Sequence, residues 1–305
     1  MKKDLIDESD LSIEDFRLIF QRAAKLKKLL RQGACHTTLK GKTLGMIFDK
    51  HSTRTRISFE VGMYQLGGIA LFLSSRDTQL SRGESLADAA RIMSRYLNGI
   101  MIRTYAQGDV EELARCADIP VINGLTDLLH PCQILSDLFT IIEKKGTCEG
   151  LKIAYVGDGN NVANSWVNAA AKLPFDLAVA CPEGYEPDRD IFRRGVTETS
   201  GRIKLYREPA EAVEKADVVY TDVWVSMGQE SERDERLRIF QPYQVNVSLM
   251  RRAKEDALVM HCLPAHRGEE IVSEVLDGPQ SVVIDQAENR LHVQKAILEL
   301  LLQGG

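Results

Sequence analysis

Short apolar runs recur along the chain at 43–48, 69–73, 99–103, 120–123, 152–157, 177–181, 202–206, 217–221, 257–261 and 281–284, separated by stretches with apolar residues at helical spacing. Runs of this length suit strands buried on both faces, and their alternation with helices predicts parallel sheets covered on both sides. Ten such strands fit two sheets better than one. The break is expected in the polar stretch EKKGTCEGLK, residues 143–152, which holds two glycines and precedes a fresh strand. The fold class expected is therefore α/β, with two doubly wound domains, each around a central parallel sheet, covering 1–146 and 147–287. At the N-terminus, Ser12 and Asp15 have the spacing of a capping box, Leu11 and Phe16 that of a hydrophobic staple, and Gly33 closes the pattern, predicting a helix over 13–32. At the other end, Leu291, Ile297, Leu298, Leu301 and Leu302 predict a helix over 288–303.

Ligands of open parallel sheets bind beyond the carboxyl ends of the strands, so the residues following each run carry the candidate chemistry. The run 43–48 is followed by Ser52-Thr53-Arg54-Thr55-Arg56 and then by the helical pattern of Ile57, Phe59, Val61, Met63 and Tyr64. Hydroxyls and arginines at a strand-to-helix turn fit a phosphate site, because a helix start already favours an anion and Arg54 can add a bidentate pair. A capped helix start with solvated arginines explains any one of these residues, but not five together. Run 99–103 ends in Arg103-Thr104, and run 120–123 leads to His130-Pro131-Cys132-Gln133 at another helix start. In the second half come Gly157-Asp158-Gly159-Asn160-Asn161, the segment Asp222 to Gly228, and His261-Cys262-Leu263-Pro264-Ala265-His266. These six loops can converge on one cleft between the domains. The first half offers cations and hydroxyls suited to a phosphate and an adjacent carbonyl. The second offers Asp222, Asn161 and the Ser226 loop, suited to an ammonium and a polar tail.

Charge narrows the partners. The 305 residues are 44% hydrophobic and 27% charged with a net charge of −5, an ordinary globular balance that disfavours nucleic acid and anionic membrane surfaces. No apolar run approaches the roughly 20 residues needed to span a bilayer. Six cysteines without a C-x-x-C pair, and a start, MKKDLIDESD, without a signal-peptide core, lead to a cytoplasmic expectation.

Three other chemistries fit less well. Gly157-Asp158-Gly159 opens like a dinucleotide fingerprint, but Val162 holds the third glycine position and the next strand ends Ala180-Cys181-Pro182, without an acidic ribose partner. His261, Cys262 and His266 are soft ligands, yet no partner pair completes a four-ligand structural zinc site, so no metal is expected. No G-x-S-x-G elbow supports a nucleophilic serine.

Along nearly its whole length, through FDKHSTRTRISFE, MIRT, HPCQ, GDGNN, DVWVSMGQE, HCLPAHRGEE and ENRLHVQKA, the sequence resembles the transcarbamylase family, and Asp222 followed by Ser226-Met227-Gly228, together with His261-Cys262-Leu263-Pro264, resembles its ornithine branch. The resemblance implies transfer of a carbamoyl group from carbamoyl phosphate to the side-chain amine of ornithine, with no cofactor. It implies that Ser52, Thr53, Arg54, Thr55, Arg103, His130 and Gln133 bind carbamoyl phosphate, with Arg290 reaching in from the final helix. It places Gln79 at a position supplied by a neighbouring subunit, hence a homotrimer or a multiple of trimers. Asn161, Asp222, Ser226 and Met227 would hold the α-groups of ornithine, while Cys262 and the Leu263 carbonyl face its side-chain amine. It also implies that helix 288–305 packs back on the first domain. Two rivals stay open on the sequence: a sibling transferase with another acceptor (aspartate, putrescine or acetylated ornithine), and a sensor that kept the cleft without the chemistry.

Overall fold

A computed structural model describes residues 3–74, 83–226 and 228–303. Gln79 and Met227, both expected in the site, lie outside the described residues. The backbone divides into two compact units, Met1–Ser136 with Asn289–Gly305, and Asp137–Glu288.

The first unit carries strands β1 (Thr43–Phe48), β2 (Ile69–Ser74), β3 (Gly99–Arg103) and β4 (Val121–Leu125), all parallel, in the order β2-β1-β3-β4. Helices α1 (Ile13–Arg31), α2 (Thr53–Gln65), α3 (Leu86–Tyr96) and α4 (Gln107–Cys116) accompany it. The capping box is formed: Ser12 Oγ accepts from the Asp15 amide, and the Asp15 carboxylate accepts from the Ser12 amide. β1, β3 and β4 are buried almost throughout, whereas β2, the edge strand, is largely exposed. Ile47, Ile100, Ile102 and Val121 pack with Val110 and Leu113 of α4.

The second unit carries β5 (Lys152–Val156), β6 (Asp176–Ala180), β7 (Ile203–Tyr206), β8 (Val218–Thr221) and β9 (Leu258–His261) in the order β7-β6-β5-β8-β9, again all parallel. Its helices are α6 (Asn161–Lys172), α7 (Arg189–Glu198), α8 (Pro209–Val213), α9 (Arg233–Phe240), α10 (Val247–Met250) and α11 (Ser273–Leu276). Trp166 of α6 is fully buried, with its ring edge on Phe175 and on Tyr220 of β8. The chain crosses between the units inside α5 (Pro131–Lys145) and α12 (Val283–Leu302).

The tenth expected strand, 281–284, does not form. Ser281 makes only an isolated bridge to Val259, and Val283 already begins α12, five residues before the expected start. A short apolar run is ambiguous between a strand and the first turn of a helix, and here the helix wins, with Val283 buried and Ile284 exposed. From Asn289 onward α12 belongs to the first unit, where Lys27 Nζ donates to Asn289 Oδ1 at 2.7 Å and Lys295 Nζ to Gln65 Oε1 at 2.8 Å.

Each sheet has one place where neighbouring strands send their connections in opposite directions along the sheet. It lies between β1 and β3 in the first, and between β5 and β8 in the second. At such a switch point the loops diverge and leave a crevice beyond the strand ends.

Candidate active site

The first unit places basic and hydroxyl groups at its crevice. Ser52 caps α2, its Oγ accepting from the Thr55 amide at 3.2 Å, and this fixes the first turn. Thr53 and Arg54 stand exposed on that turn, whereas Thr55 is buried. Thr55 Oγ1 lies 3.0 Å from Ser52 Oγ and accepts from Arg290 Nη2 at 2.7 Å, so α12 reaches the turn through one guanidinium. Parallel register sets Arg103 of β3 beside Phe48 at the end of β1. There the β3–β4 pairing slips by one residue, with Gly124 extra on β4, an irregularity of the kind that re-aims side chains at strand ends. Gly124 fits the slip because a Cβ would come within 2.5 Å of Met101 Sδ.

His130 precedes α5, and its carbonyl accepts from the amides of Gln133 and Ile134. His130, Gln133, Arg103 and Arg290 are all buried. Burial holds the His130 imidazole well below its usual pKa, and the positive Arg290 and Arg103 push the same way. It is therefore neutral at working pH and able to donate a hydrogen bond without adding charge. The unit thus gathers three arginines, one neutral imidazole and two hydroxyls around a helix start.

The second unit makes the opposite arrangement with the same architecture. Asp222 follows β8 and is buried. Its Oδ2 accepts from Asn160 Nδ2 at 2.8 Å, and its Oδ1 from the Val223 amide and from Cys262 Sγ, each at 2.8 Å. Asn160 caps α6: its Oδ1 accepts from the Val162 and Ala163 amides and from the Tyr155 hydroxyl. The helix-start donors that would grip a dinucleotide pyrophosphate are therefore already engaged by the protein. Gly159 brings this turn against the 185–187 backbone, where a Cβ would sit 2.2 Å from the Pro187 nitrogen. Asn161 is the first residue of α6 and half-buried, as is Ser226, whose amide donates to Gln229 Oε1 at 3.0 Å.

Arg236 of α9 binds the two loops together. Its Nη1 donates to Asp158 Oδ2 at 3.0 Å and to the Trp224 carbonyl at 3.1 Å, while Nε pairs with Glu232. Burial raises Asp158 to about 6 even against this guanidinium.

Cys262 and Leu263 follow β9. His261 Nδ1 accepts from the Leu263 amide at 2.8 Å, which leaves the ring proton on Nε2 to donate to buried Glu270 at 3.1 Å. Leu263 is held at φ +58°, a conformation costly for a branched side chain, and the Leu263–Pro264 bond is cis. Asp222, His261 and Cys262 bring donor atoms within 4.8 Å of one another, but the thiol is spent on Asp222 and His261 Nδ1 on the Leu263 amide.

Of the expected residues described, Thr55 and Arg290 are in direct contact in the first unit, with Ser52 beside Thr55 and the Arg103 and Arg290 charges acting on His130. In the second, Asp222 and Cys262 are in direct contact. The sequence alone passed over Arg236 and Glu270, and missed the supporting roles of Asn160 and His261: Asn160 and Arg236 hold the Asp222–Trp224 segment, and His261 with Glu270 holds Leu263.

Two family models account for nearly the whole chain: the aspartate/ornithine carbamoyltransferase carbamoyl-P binding domain matches residues 3–143, and the Asp/Orn binding domain of the same family matches residues 149–301. The chain belongs to the aspartate/ornithine carbamoyltransferase family. Within it, an ornithine carbamoyltransferase of Syntrophus aciditrophicus is 71% identical over 302 residues, covering 99% of this chain and 100% of the relative. A Pyrococcus furiosus relative named as an anabolic ornithine carbamoyltransferase is 54% identical over 305 residues, covering 99% and 97%. The solved structure of the ornithine carbamoyltransferase from Pyrococcus furiosus superposes with a TM-score of 0.96 at 53% identity, covering 99% of this chain and 97% of that one. The fold of this carbamoyltransferase, two α/β units each on a parallel sheet, is that of its family.

Proposed function

We propose that the chain transfers the carbamoyl group of carbamoyl phosphate to the δ-amine of L-ornithine, giving L-citrulline and phosphate. The observation that carries the reading is the opposition of charge at two equivalent places. The β1/β3 switch point gathers Arg54, Arg103 and Arg290, and the β5/β8 switch point holds the buried carboxylate of Asp222. A phosphate belongs at the first and an α-ammonium at the second. The family models support the division by their descriptions, a carbamoyl-P binding domain over residues 3–143 and an Asp/Orn binding domain over 149–301.

Ser52, Thr53, Arg54 and Thr55 cradle the phosphate at the start of α2, with Gln133 on the carbamoyl group and Gln79 supplied by a neighbouring subunit. Thr55, Arg103 and neutral His130 donate to the carbonyl oxygen as negative charge develops on it. Donors of this kind contribute roughly 3–4 kcal/mol each in acyl transfer. Arg290 orients Thr55 through their 2.7 Å hydrogen bond. Asn161, Ser226 and Met227 hold the α-carboxylate and α-ammonium with Asp222, while Cys262 and the Leu263 carbonyl guide the δ-amine. The neutral amine attacks the carbonyl carbon, a tetrahedral intermediate forms, and the C–O bond to phosphate breaks. The departing phosphate, its charge met by Arg54, takes up the amine's proton. This scheme calls for no cofactor.

Acceptor choice follows from the same groups. An aspartate acceptor wants cations where Asp222 stands, putrescine lacks the α-carboxylate that Asn161 serves, and acetylated ornithine lacks the α-ammonium.

A homotrimer, or a multiple of trimers, is the assembly we infer. Its support is the apolar exposure of edge strand β2 (Ile69, Leu71, Phe72), with Ile57 and Tyr64 on α2 and Ile92 and Tyr96 on α3. An uncovered apolar edge of this kind is a partner surface. Six free thiols fit a reducing, cytoplasmic setting, and no helix among the described residues is long and apolar enough to cross a membrane. The direction we infer is citrulline formation for arginine biosynthesis, in keeping with the Pyrococcus furiosus relative named as anabolic.

The test is colorimetric citrulline formation at pH 8 with ornithine, run beside putrescine, acetylornithine and aspartate as acceptors. Turnover with ornithine alone is expected; turnover with another acceptor overturns the role of Asp222, and none with any acceptor leaves a binding protein without the chemistry.

A further inference from the structure

Beyond Cys262 the same segment turns back on itself and brings three unused donor atoms together. Glu270 is fully buried, and each of its oxygens has a different fate. Oε1 accepts from His261 Nε2 at 3.1 Å and from the His266 amide at 2.5 Å, whereas Oε2 is buried without a hydrogen-bond partner. His266 Nδ1 is likewise buried without a partner, although the rest of its ring is exposed, and it faces Glu270 Oε2 at 3.9 Å. Glu269 pairs through Oε1 with Arg233 and points Oε2 at the same His266 nitrogen, also at 3.9 Å. His266, Glu269 and Glu270 each bring a donor atom within 4.8 Å of the other two.

This arrangement is too long for hydrogen bonds, whose donors and acceptors stand about 3 Å apart. It leaves a carboxylate oxygen and a ring nitrogen dry and unsatisfied, each at a cost of about 1–3 kcal/mol or more. Two donors at about 2.1 Å from one metal ion stand roughly 3–4 Å apart, so small side-chain adjustments seat an ion among all three. The other oxygens are held by His261, the His266 amide and Arg233, and the turn is pinned by Gln244 Nε2 donating to the Gly268 and Glu269 carbonyls at 2.9 Å. Two such carboxylate oxygens with one imidazole nitrogen suit a borderline divalent ion such as Zn2+, Co2+ or Ni2+.

We propose that His266, Glu269 and Glu270 form a divalent transition-metal site, separate from the Asp222–Cys262 pair, with its remaining coordination positions open to water. The ion ties His266, in the segment following Cys262, to Glu269 and Glu270 of the turn before Ile271.

Co2+ is the probe, titrated into chelator-stripped full-length protein and followed by its visible d–d absorption and by calorimetry. The expected result is one Co2+ per chain, without the near-ultraviolet charge-transfer band of a thiolate ligand, unchanged in Cys262→Ser and displaced by Zn2+. Affinity is expected to fall at least 10-fold in His266→Gln and in Glu269→Gln, each checked for a native circular-dichroism spectrum. Glu269→Gln, at a partly exposed side chain, keeps the test decisive if His266→Gln does not fold. No saturable binding, binding that survives either substitution in a folded protein, or a thiolate band lost in Cys262→Ser overturns the proposal.

Discussion

The two crevices are built alike and charged oppositely. Each lies where a parallel sheet switches winding direction, and each opens at the start of a helix, α2 in one and α6 in the other. A bare helix start draws anions in both cases. At α2 the cap is a small serine that satisfies one amide, and arginines surround the turn, so the anion preference is amplified. At α6 the cap is Asn160, which takes two amides on one oxygen and turns its amide group onto Asp222, so the crevice presents a carboxylate instead. Topology decides where a ligand sits; the cap and its first neighbour decide the sign of its charge.

The largest effect expected from breaking this comparison is at Asp222. Asp222→Asn keeps the shape but removes the counter-charge proposed for the α-ammonium and leaves the Cys262 thiol without its carboxylate. A fall of about 10³-fold in kcat/KM for ornithine is expected from steady-state rates, the scale of losing a buried polar match. Next is Arg54→Lys, which keeps the charge and loses the planar fork. A loss of about 10²-fold in kcat/KM for carbamoyl phosphate is expected, equivalent to about 2.7 kcal/mol. In the proposed scheme Cys262 guides the amine without forming a covalent bond, so in Cys262→Ala turnover should slow by about 10-fold and remain measurable. Complete loss of turnover with normal substrate binding would make the thiol a reactant.

The smallest effect sharpens the electrostatics of the first crevice. His130 is held neutral in the folded chain, while in the unfolded chain it takes a proton below its ordinary pKa of about 6.5. Its stabilising contribution is therefore complete above pH 6.5 and declines as the pH falls below that, with a slope of up to about 1.4 kcal/mol per pH unit. Chemical denaturation from pH 7.5 to 5 checks this. His130→Gln should flatten the decline, and an equally steep decline in the variant would assign it to other groups.

Much of this was legible in the sequence, and the misses have physical causes. The runs Thr43–Phe48 and Lys152–Val156 became the central strands because apolar residues buried on both faces leave an unbroken pattern. Ser52, Thr55 and Asp222 stood out because each sits one short loop after a strand. The run 281–284 misled because so short a run cannot show a helical period: Val283 is buried, but Ile284 stands exposed and Asp285 already supplies a polar position in the first turn of α12. Asn160 stood in a candidate loop, but nothing local reveals that its side chain holds Asp222, 62 residues on. Arg236 and Glu270 escaped for the same reason: their partners, Asp158 and His261, are joined to them by the fold and not by spacing.

The central claim is that the two crevices bind substrates of opposite local charge, and it is tested most directly by initial rates of citrulline formation in Asp222→Asn and Arg54→Lys with each substrate varied in turn. The account predicts that Asp222→Asn raises the KM for ornithine and leaves that for carbamoyl phosphate nearly unchanged, while Arg54→Lys does the reverse. If both substitutions shift the same substrate's KM, the division of charge between the two switch points is wrong.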